Sequence, residues 1–129
     1  MLNFGHTIGH AIERAGDYGQ FLHGEAVSLG IAAACEISVR RAGLSEPDRG
    51  RIVGVLERFG LPVRLPSAFP KHKILAAVAL DKKFARGEVR FVVAPEIGSA
   101  QLATNVTLPD IEAAIGKLLG GTTAVSSLI

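Results

Sequence analysis

The feature that most constrains the fold of this sequence is a run of small and apolar residues between positions 24 and 42. The run contains many alanines, and a set of its apolar residues recurs at helical spacing: Val27, Ile31, Ala34, Cys35 and Val39. A helix that is apolar on most of its sides needs neighbours on several of them to exclude water. The run therefore predicts a long helix from about Gly24 to Ala42 at the centre of a helical bundle.

Start and stop signals divide most of the remaining chain into further helices. We predict a short helix over residues 6–15, a fourth over 70–80 and a last one from about 109 to 119, ended by Gly120-Gly121. Ser45 marks the start of the third helix, because its hydroxyl can accept a hydrogen bond from an amide of the first turn. This helix should end at Gly60 and bury one stripe of apolar residues: Ile52, Val55, Leu56 and Phe59.

One segment changes from a helical to an alternating pattern. Apolar residues occupy every second position there, at Val89, Phe91 and Val93, which is typical of a strand. Residues 95–98 predict a turn, and residues 100–103 can pair back as a short second strand. We therefore expect a mainly α fold, a multihelical array with one small β-hairpin, in one domain of residues 1–119 with a flexible tail over 120–129.

Composition excludes several classes of protein. The chain of 129 residues is 48% hydrophobic with a mean hydropathy of +0.33, which is enough apolar surface to exclude intrinsic disorder. A net charge of only +2 argues against a nucleic-acid partner. The apolar stretch 26–39 is interrupted by polar residues and is too short to span a bilayer, so we expect no membrane contact.

The single cysteine and the N-terminus indicate the compartment. Cys35 has no partner for an internal disulfide, and its alanine-rich surroundings favour a buried, unreactive thiol. Polar residues within the first turns leave no apolar core for a signal peptide. We therefore expect a soluble protein of the reducing cytoplasm.

Histidines cluster near the N-terminus and form the candidate site. His6 and His10 are four residues apart and share a helix face, and Glu13 lies close to that face. His23 begins the second helix, so a tight helical hairpin can fold it back onto the pair. A catalytic zinc usually takes three protein ligands, and the spacing alone does not select among these four residues. Gly9 disfavours the helix, which suggests that it is kept for a close approach of backbone or ligand.

Two segments carry a family resemblance: residues 3–13, Asn-Phe-Gly-His-Thr-Ile-Gly-His-Ala-Ile-Glu, and residues 23–27, His-Gly-Glu-Ala-Val. They resemble the histidine motifs of 3-dehydroquinate synthase, a member of the sugar phosphate cyclases. The resemblance ends near residue 119 and includes four further short segments: Gly60-Leu61-Pro62, Asp81-Lys82-Lys83, Arg90-Phe91-Val92 and Ile97-Gly98.

The resemblance implies an activity and a division of labour between two domains. The family converts DAHP, a seven-carbon sugar phosphate, to 3-dehydroquinate and phosphate in the shikimate pathway of aromatic amino acid biosynthesis. Its members use NAD and a divalent metal, zinc or cobalt. An N-terminal α/β domain binds NAD, a helical C-terminal domain completes the active site, and this chain resembles only the helical domain.

The resemblance also implies roles for individual residues. His6 and His23 would be metal ligands, and His10 would contact the substrate and accept a proton, a role that histidine often has in general acid–base catalysis. Asn3 would contact the substrate, and one lysine of the Lys82-Lys83 pair would bind its anionic end. Glu13 would have a supporting role, such as orienting an imidazole.

The family's third metal ligand, a glutamate, and its nucleotide-binding loop belong to the N-terminal domain, which we expect to be absent from this chain. No G-x-G-x-x-G motif occurs in the sequence. We therefore expect the NAD-binding domain as a partner, in cis or in trans, and expect the isolated chain to be inactive and to bind metal weakly. A homodimer is a further candidate assembly.

Three alternatives remain at this stage. An NAD-linked polyol dehydrogenase of the glycerol type also takes metal-binding histidines from a helical domain, although a neutral polyol does not need the Lys82-Lys83 pair. Other sugar phosphate cyclases act on glucose 6-phosphate or sedoheptulose 7-phosphate. The third alternative is a non-catalytic helical module that serves in assembly.

Overall fold

The computed structural model describes the backbone of residues 6–16, 21–66, 69–80, 91–93, 96, 101–103 and 106–127, and the side chains of 8–16, 21–66, 69–80, 96 and 106–119. Helices and strands follow in this order: α1 His6–Ala15, α2 His23–Arg41, α3 Glu46–Arg58, α4 Lys71–Ala79, β1 Phe91–Val93, β2 Gln101–Ala103 and α5 Leu108–Ser127. The predicted mainly helical fold is confirmed, and the predicted bounds of the first four helices agree with the structure to within one or two residues.

Helix α2 lies at the centre of the fold, as its composition predicts. It contacts α1, α3, α5 and β1, and ten of its nineteen residues are buried. The orientation of its apolar stripe is different from the predicted one, because Val27 is 38% exposed whereas Leu29, Ala33 and Ile37 are fully buried. Alanines on several sides of α2 let its neighbours approach closely, so burial does not follow a single stripe.

The core lies where α1, α4 and α5 pack around α2. Its largest fully buried apolar side chains come from all four helices and from the segment before α4: Ile8, Ile12, Leu29, Ile37, Leu65, Ile74, Val78, Ile111 and Ile115. Aliphatic residues dominate this core, which agrees with the low aromatic content of the sequence.

Helix α3 has the predicted ends. The Ser45 hydroxyl accepts a hydrogen bond from the Asp48 amide at 3.2 Å, and Gly60 follows the helix with a φ of 74°, a left-handed conformation that favours glycine. The Leu61 amide donates to the Leu56 carbonyl at 3.1 Å, which completes a Schellman motif.

The prediction that α3 buries its whole apolar stripe is wrong. None of the described side chains of α3 is buried, and Val55 and Phe59 are 48% and 78% exposed. Leu56 of the predicted stripe does pack partly against the core, together with Val53, which lies outside the stripe. The physical reason is that α3 packs along one edge of α2. A smaller part of the α3 surface is therefore buried than its number of apolar residues suggests.

The two short strands pair antiparallel, with the register Phe91↔Ala103, Val92↔Leu102 and Val93↔Gln101. The first lies within the segment that alternation predicts to be a strand, and the second within the segment 100–103 expected to pair back on it. Most of the connection between them and the start of the predicted first strand lie outside the described residues. The closed hairpin therefore stays a prediction.

The predicted stop of the last helix at Gly120-Gly121 is wrong. Helix α5 continues through both glycines to Ser127. Glycine lowers helix stability by ~1 kcal/mol relative to alanine, but unlike proline it keeps the backbone hydrogen-bond donor, so it does not by itself end a helix. The flexibility predicted for residues 120–129 stays a prediction. At 20 residues α5 has the length of a membrane span, yet no helix in the described part of the chain is both long and apolar enough to cross a bilayer.

A buried carboxylate ties α5 to the end of α2. Asp110 is 1% exposed and accepts hydrogen bonds at 2.8 Å from Nε of both Arg40 and Arg41. The backbone amide and the hydroxyl of Thr107 donate to the same carboxylate at 3.0 and 3.1 Å, so Asp110 also helps to cap α5. Burial raises the pKa of Asp110, but these hydrogen bonds outweigh it and lower the pKa to about 2.

Candidate active site

The contact between α1 and α2 brings the histidine segments together. Gly9 of α1 lies against the backbone of α2, and a Cβ built at this position would be 3.0 Å from the Ala26 carbonyl oxygen. The close backbone approach predicted from this glycine is thus confirmed. Because Gly9 lies between His6 and His10 and Ala26 follows His23 by three residues, this contact fixes the distance between the two motifs.

The described part of the site is centred on Glu13. The Oε2 atom of Glu13 lies 3.0 Å from Nδ1 of His23, and its Oε1 atom lies 3.8 Å from Nδ1 of His10. The Glu13 side chain is 14% exposed, whereas His10 and His23 are 55% and 76% exposed. One partly buried carboxylate therefore faces two accessible imidazoles from two helices.

The start of α2 is held independently of the histidines. Oε1 of Glu25 accepts a hydrogen bond from the Leu22 amide at 2.9 Å, and the negative charge lies in the first turn, where the helix dipole favours it. This cap fixes the turn that carries His23.

The geometry of His23 suits a metal ligand. An ionised carboxylate accepts hydrogen bonds and does not donate them, so the contact with Glu13 favours a proton on Nδ1 and leaves the lone pair on Nε2. Histidines that bind metals usually donate their second ring nitrogen to such an oxygen acceptor. His23 and Glu13 therefore match the histidine and carboxylate of the carboxylate–histidine–metal arrangement that is common in metal sites.

The remaining predicted site residues lie outside the described side chains. The backbone of His6 forms the first residue of α1, but its side chain is not described, and Asn3, Lys82 and Lys83 lie outside the described residues altogether. Among the residues that are described, no group of three histidine, cysteine, aspartate or glutamate side chains is placed to hold a metal ion. The ligand pair His6 and His23 and the substrate contacts stay predictions.

Sequence reasoning underestimated two features of this surface. Glu13 faces His10 as well as His23, and the three-residue step from His10 to Glu13 on α1 was a signal for the first of these contacts. Leu22 and Val27, one residue before and four residues after His23, are 74% and 38% exposed, so apolar side chains near the start of α2 are accessible. No pattern in the sequence distinguishes these two apolar residues from core residues.

Comparison with known families decides the assignment. Residues 1–84 match the family described as 3-dehydroquinate synthase C-terminal, which is more than half of the chain. The chain belongs to this family. The match includes both histidine motifs, Glu13 and the Asp81-Lys82-Lys83 segment, and the C-terminal assignment agrees with the helical fold.

Relatives of this 3-dehydroquinate synthase C-terminal family member are longer proteins. A 3-dehydroquinate synthase of Nitrosococcus oceani is 43% identical over 117 residues, which cover 91% of this chain and 33% of the relative. A 3-dehydroquinate synthase of Acidithiobacillus ferrooxidans is 44% identical over 106 residues, covering 82% of this chain and 29% of the relative. The chain spans about a third of the length of the curated relatives it matches.

Two solved synthases contain the same fold. The 2-epi-5-epi-valiolone synthase of Streptomyces hygroscopicus, solved with NAD+ and Zn2+ bound, superposes with a TM-score of 0.77 at 31% identity and covers 92% of this chain and 32% of its own. A 2-deoxy-scyllo-inosose synthase complexed with carbaglucose-6-phosphate, NAD+ and Co2+ also gives 0.77, at 25% identity, and covers 91% of this chain and 33% of its own. The fold of this chain therefore occurs as about a third of each of these two synthases.

Proposed function

We propose that this chain is the C-terminal part of a 3-dehydroquinate synthase, a lyase that converts DAHP to 3-dehydroquinate and phosphate. The observation that carries the proposal is the approach of His10 and His23, from two helices, to the single carboxylate of Glu13. The family match and the 43% identity to a full-length 3-dehydroquinate synthase support the same assignment. The whole reaction needs the further two thirds that the relatives possess.

In this proposal the residues of the chain divide the work at the site. His6 and His23 bind the metal ion, and Glu13 orients the His23 ring through Nδ1. His10, which is 55% exposed, contacts the substrate and accepts a proton from it. Asn3 and one lysine of the Lys82-Lys83 pair bind the substrate, the lysine at its anionic end.

The arrangement of His23 fits a bound metal ion, because its Nδ1 is engaged by a carboxylate and its Nε2 is available as a ligand. When bound, zinc or cobalt supplies Lewis acidity at a substrate hydroxyl, and NAD supplies a hydride acceptor. We assign NAD binding and the third metal ligand to an N-terminal domain in cis. A cytoplasmic location is part of the same proposal, as is a homodimer.

A second candidate function is that of another sugar phosphate cyclase. The similarity to 2-epi-5-epi-valiolone synthase and 2-deoxy-scyllo-inosose synthase at a TM-score of 0.77 favours this candidate over unrelated enzymes. The two functions share the metal site and the phosphate leaving group and differ in the sugar. They are therefore distinguished by substrate and not by the histidine cluster.

A chimeric enzyme tests the proposal. The N-terminal two thirds of the Nitrosococcus oceani 3-dehydroquinate synthase would be fused to residue 1 of this chain, loaded with NAD and Zn2+, and assayed for phosphate release. We expect turnover of DAHP by the chimera and none by the isolated chain. His23→Ala should lower kcat/KM by more than about 100-fold, since loss of even a supporting residue of a metal site costs 10–100-fold. His72→Ala is the matched control, because His72 is an exposed histidine on α4.

Other outcomes identify the alternatives. Turnover of sedoheptulose 7-phosphate or glucose 6-phosphate without turnover of DAHP would assign the chain to another cyclase. Reduction of NAD with glycerol would favour a polyol dehydrogenase. DAHP turnover by the isolated chain would contradict the assigned need for an N-terminal domain.

A further inference from the structure

We infer that Glu13 is a positioning residue that selects the Nδ1–H tautomer of His23 and holds the His23 ring in one orientation. The inference concerns a single carboxylate between two imidazoles. Its consequence for catalysis rests on the proposed function, whereas the tautomer is a property of this chain alone.

The two carboxylate oxygens of Glu13 face different histidines. Oε2 lies at hydrogen-bond distance from Nδ1 of His23, 3.0 Å, and Oε1 lies 3.8 Å from Nδ1 of His10, beyond a hydrogen bond but within ion-pair range. Each oxygen therefore faces one histidine. Since the two histidines are carried by different helices, the carboxylate links α1 to α2 at the site.

Burial makes Glu13 the fixed member of the group. Its side chain is 14% exposed, compared with 55% for His10 and 76% for His23. Its position on α1 is one residue beyond Ile12, which is fully buried in the core. A ring that is three-quarters exposed has little packing of its own to fix it, so a hydrogen bond to an anchored carboxylate is the main local restraint on the His23 ring.

The charge of Glu13 determines which ring nitrogen bears the proton. An ionised carboxylate has no hydrogen to donate, so a neutral imidazole at 3.0 Å can satisfy it only from a protonated Nδ1. The Nε2 lone pair of His23 is then free. In the proposed function this is the nitrogen that binds the metal, and loss of such an outer partner typically lowers metal affinity 10–100-fold.

Long-range 1H–15N NMR of the isolated chain tests the inference without metal, NAD or substrate. At a pH where the imidazoles are neutral, we expect the His23 spectrum of the Nδ1–H tautomer. Glu13→Ala should shift His23 to the tautomer mixture of an exposed histidine, represented here by His72. Glu13→Gln, which keeps the shape of the side chain and can accept or donate, should give an intermediate population. The matched control is Glu57→Gln, the same change at an exposed glutamate of α3.

Two results would overturn the inference. One is a predominantly Nε2–H tautomer of His23 in the unsubstituted chain, a measurement that needs no variant to fold. The other is an unchanged His23 tautomer in Glu13→Gln and Glu13→Ala with unchanged α1 amide shifts. A failure of DAHP turnover in the chimera leaves both measurements unaffected, so the inference and the proposed function fail separately. Within an active chimera, Glu13→Ala should lower Zn2+ affinity 10–100-fold, and Glu57→Gln should not.

Discussion

Gly9 lies so close to Ala26 that a β-carbon on Gly9 would be 3.0 Å from the Ala26 carbonyl oxygen. We therefore predict that Gly9→Ala destabilises the fold, although alanine is the better helix former by about 1 kcal/mol. The clash is with backbone, which cannot rotate away, and overpacking of this kind typically costs about 1–3 kcal/mol. Urea unfolding of the variant measures the net change in the free energy of unfolding.

The same substitution in open space is the control for this prediction. Gly54 lies inside α3, and a Cβ built on it would have no atom within 4 Å apart from its chain neighbours and the backbone of its own helix, so Gly54→Ala should stabilise the chain by about 0.5–1 kcal/mol. Gly9→Ala should also move His23 relative to His10, seen as changed side-chain shifts of both histidines. Equal stabilisation by the two variants would show that α1 and α2 are not in tight backbone contact.

The buried Asp110 predicts a loss of stability in acid. Its pKa is lowered from 3.8 to about 2 by Thr107, Arg41 and Arg40 against the opposing effect of burial. A carboxyl group with a depressed pKa in the folded state contributes stability above pH 3.8 and loses it as the pH falls toward about 2. The shift corresponds to about 2 kcal/mol. Asp110→Asn should therefore be less stable at pH 7, with the difference from the unsubstituted chain narrowing below pH 4.

Urea unfolding at a series of pH values from 7 to 2.5 measures how the difference in the free energy of unfolding between the unsubstituted chain and Asp110→Asn changes with pH. Glu112→Gln is the matched control, because Glu112 lies two residues further along α5 and its pair with Lys71, at 3.6 Å, is about half exposed. We expect less than about 0.5 kcal/mol for Glu112→Gln at any pH. A constant difference between the unsubstituted chain and Asp110→Asn across the pH range would contradict the role given to the Asp110 charge.

The thiol of Cys35 should be unreactive in the folded chain. Cys35 is fully buried on α2, as its sequence context predicts, and burial, aided by the charge of Glu36, raises its pKa from 9.0 to about 12. At pH 8 this lowers the thiolate fraction about 1,000-fold, and the thiolate is the species that reacts. Labelling of Cys35 with a disulfide reagent should therefore be slow in the native chain and fast once urea has unfolded it. Fast labelling of the native chain would contradict this burial.

The sequence predicts local features of this fold well because a few neighbouring residues determine them. The Ser45 cap and the left-handed Gly60, with a φ of 74°, lie where the start and stop signals place them. The exception is the pair of glycines in α5, where helix continuation needs only a retained backbone donor. Residues that only lower helix stability, such as the glycines of α5, therefore predict a helix end less reliably than a left-handed glycine that lets the last carbonyls of the helix accept hydrogen bonds.

Which apolar residues are buried, and the contact of Glu13 with two histidines, depend on how the helices pack, which the sequence does not show. Val27 and Phe59 fit helical apolar stripes but are exposed, because the direction of a stripe depends on which helices pack beside it. The approach of His10 and His23 follows from spacing and a hairpin, whereas the contact of Glu13 with both of them requires the distance between α1 and α2. That distance is set by packing at Gly9 and is not encoded in the spacing of the histidines.

The exposed end of α3 gives a last prediction. Phe59 is 78% exposed, so truncating it removes little buried surface, and Phe59→Ala should change the free energy of unfolding by less than about 0.5 kcal/mol. Phe69 is 5% exposed and its ring lies 5.5 Å from that of Phe21, so Phe69→Ala should cost about 3–5 kcal/mol. Urea unfolding of both variants compares one substitution in two environments. A large loss for Phe59→Ala would mean that the apolar stripe on α3 is covered in solution, and its dependence on protein concentration would tell whether a second copy covers it.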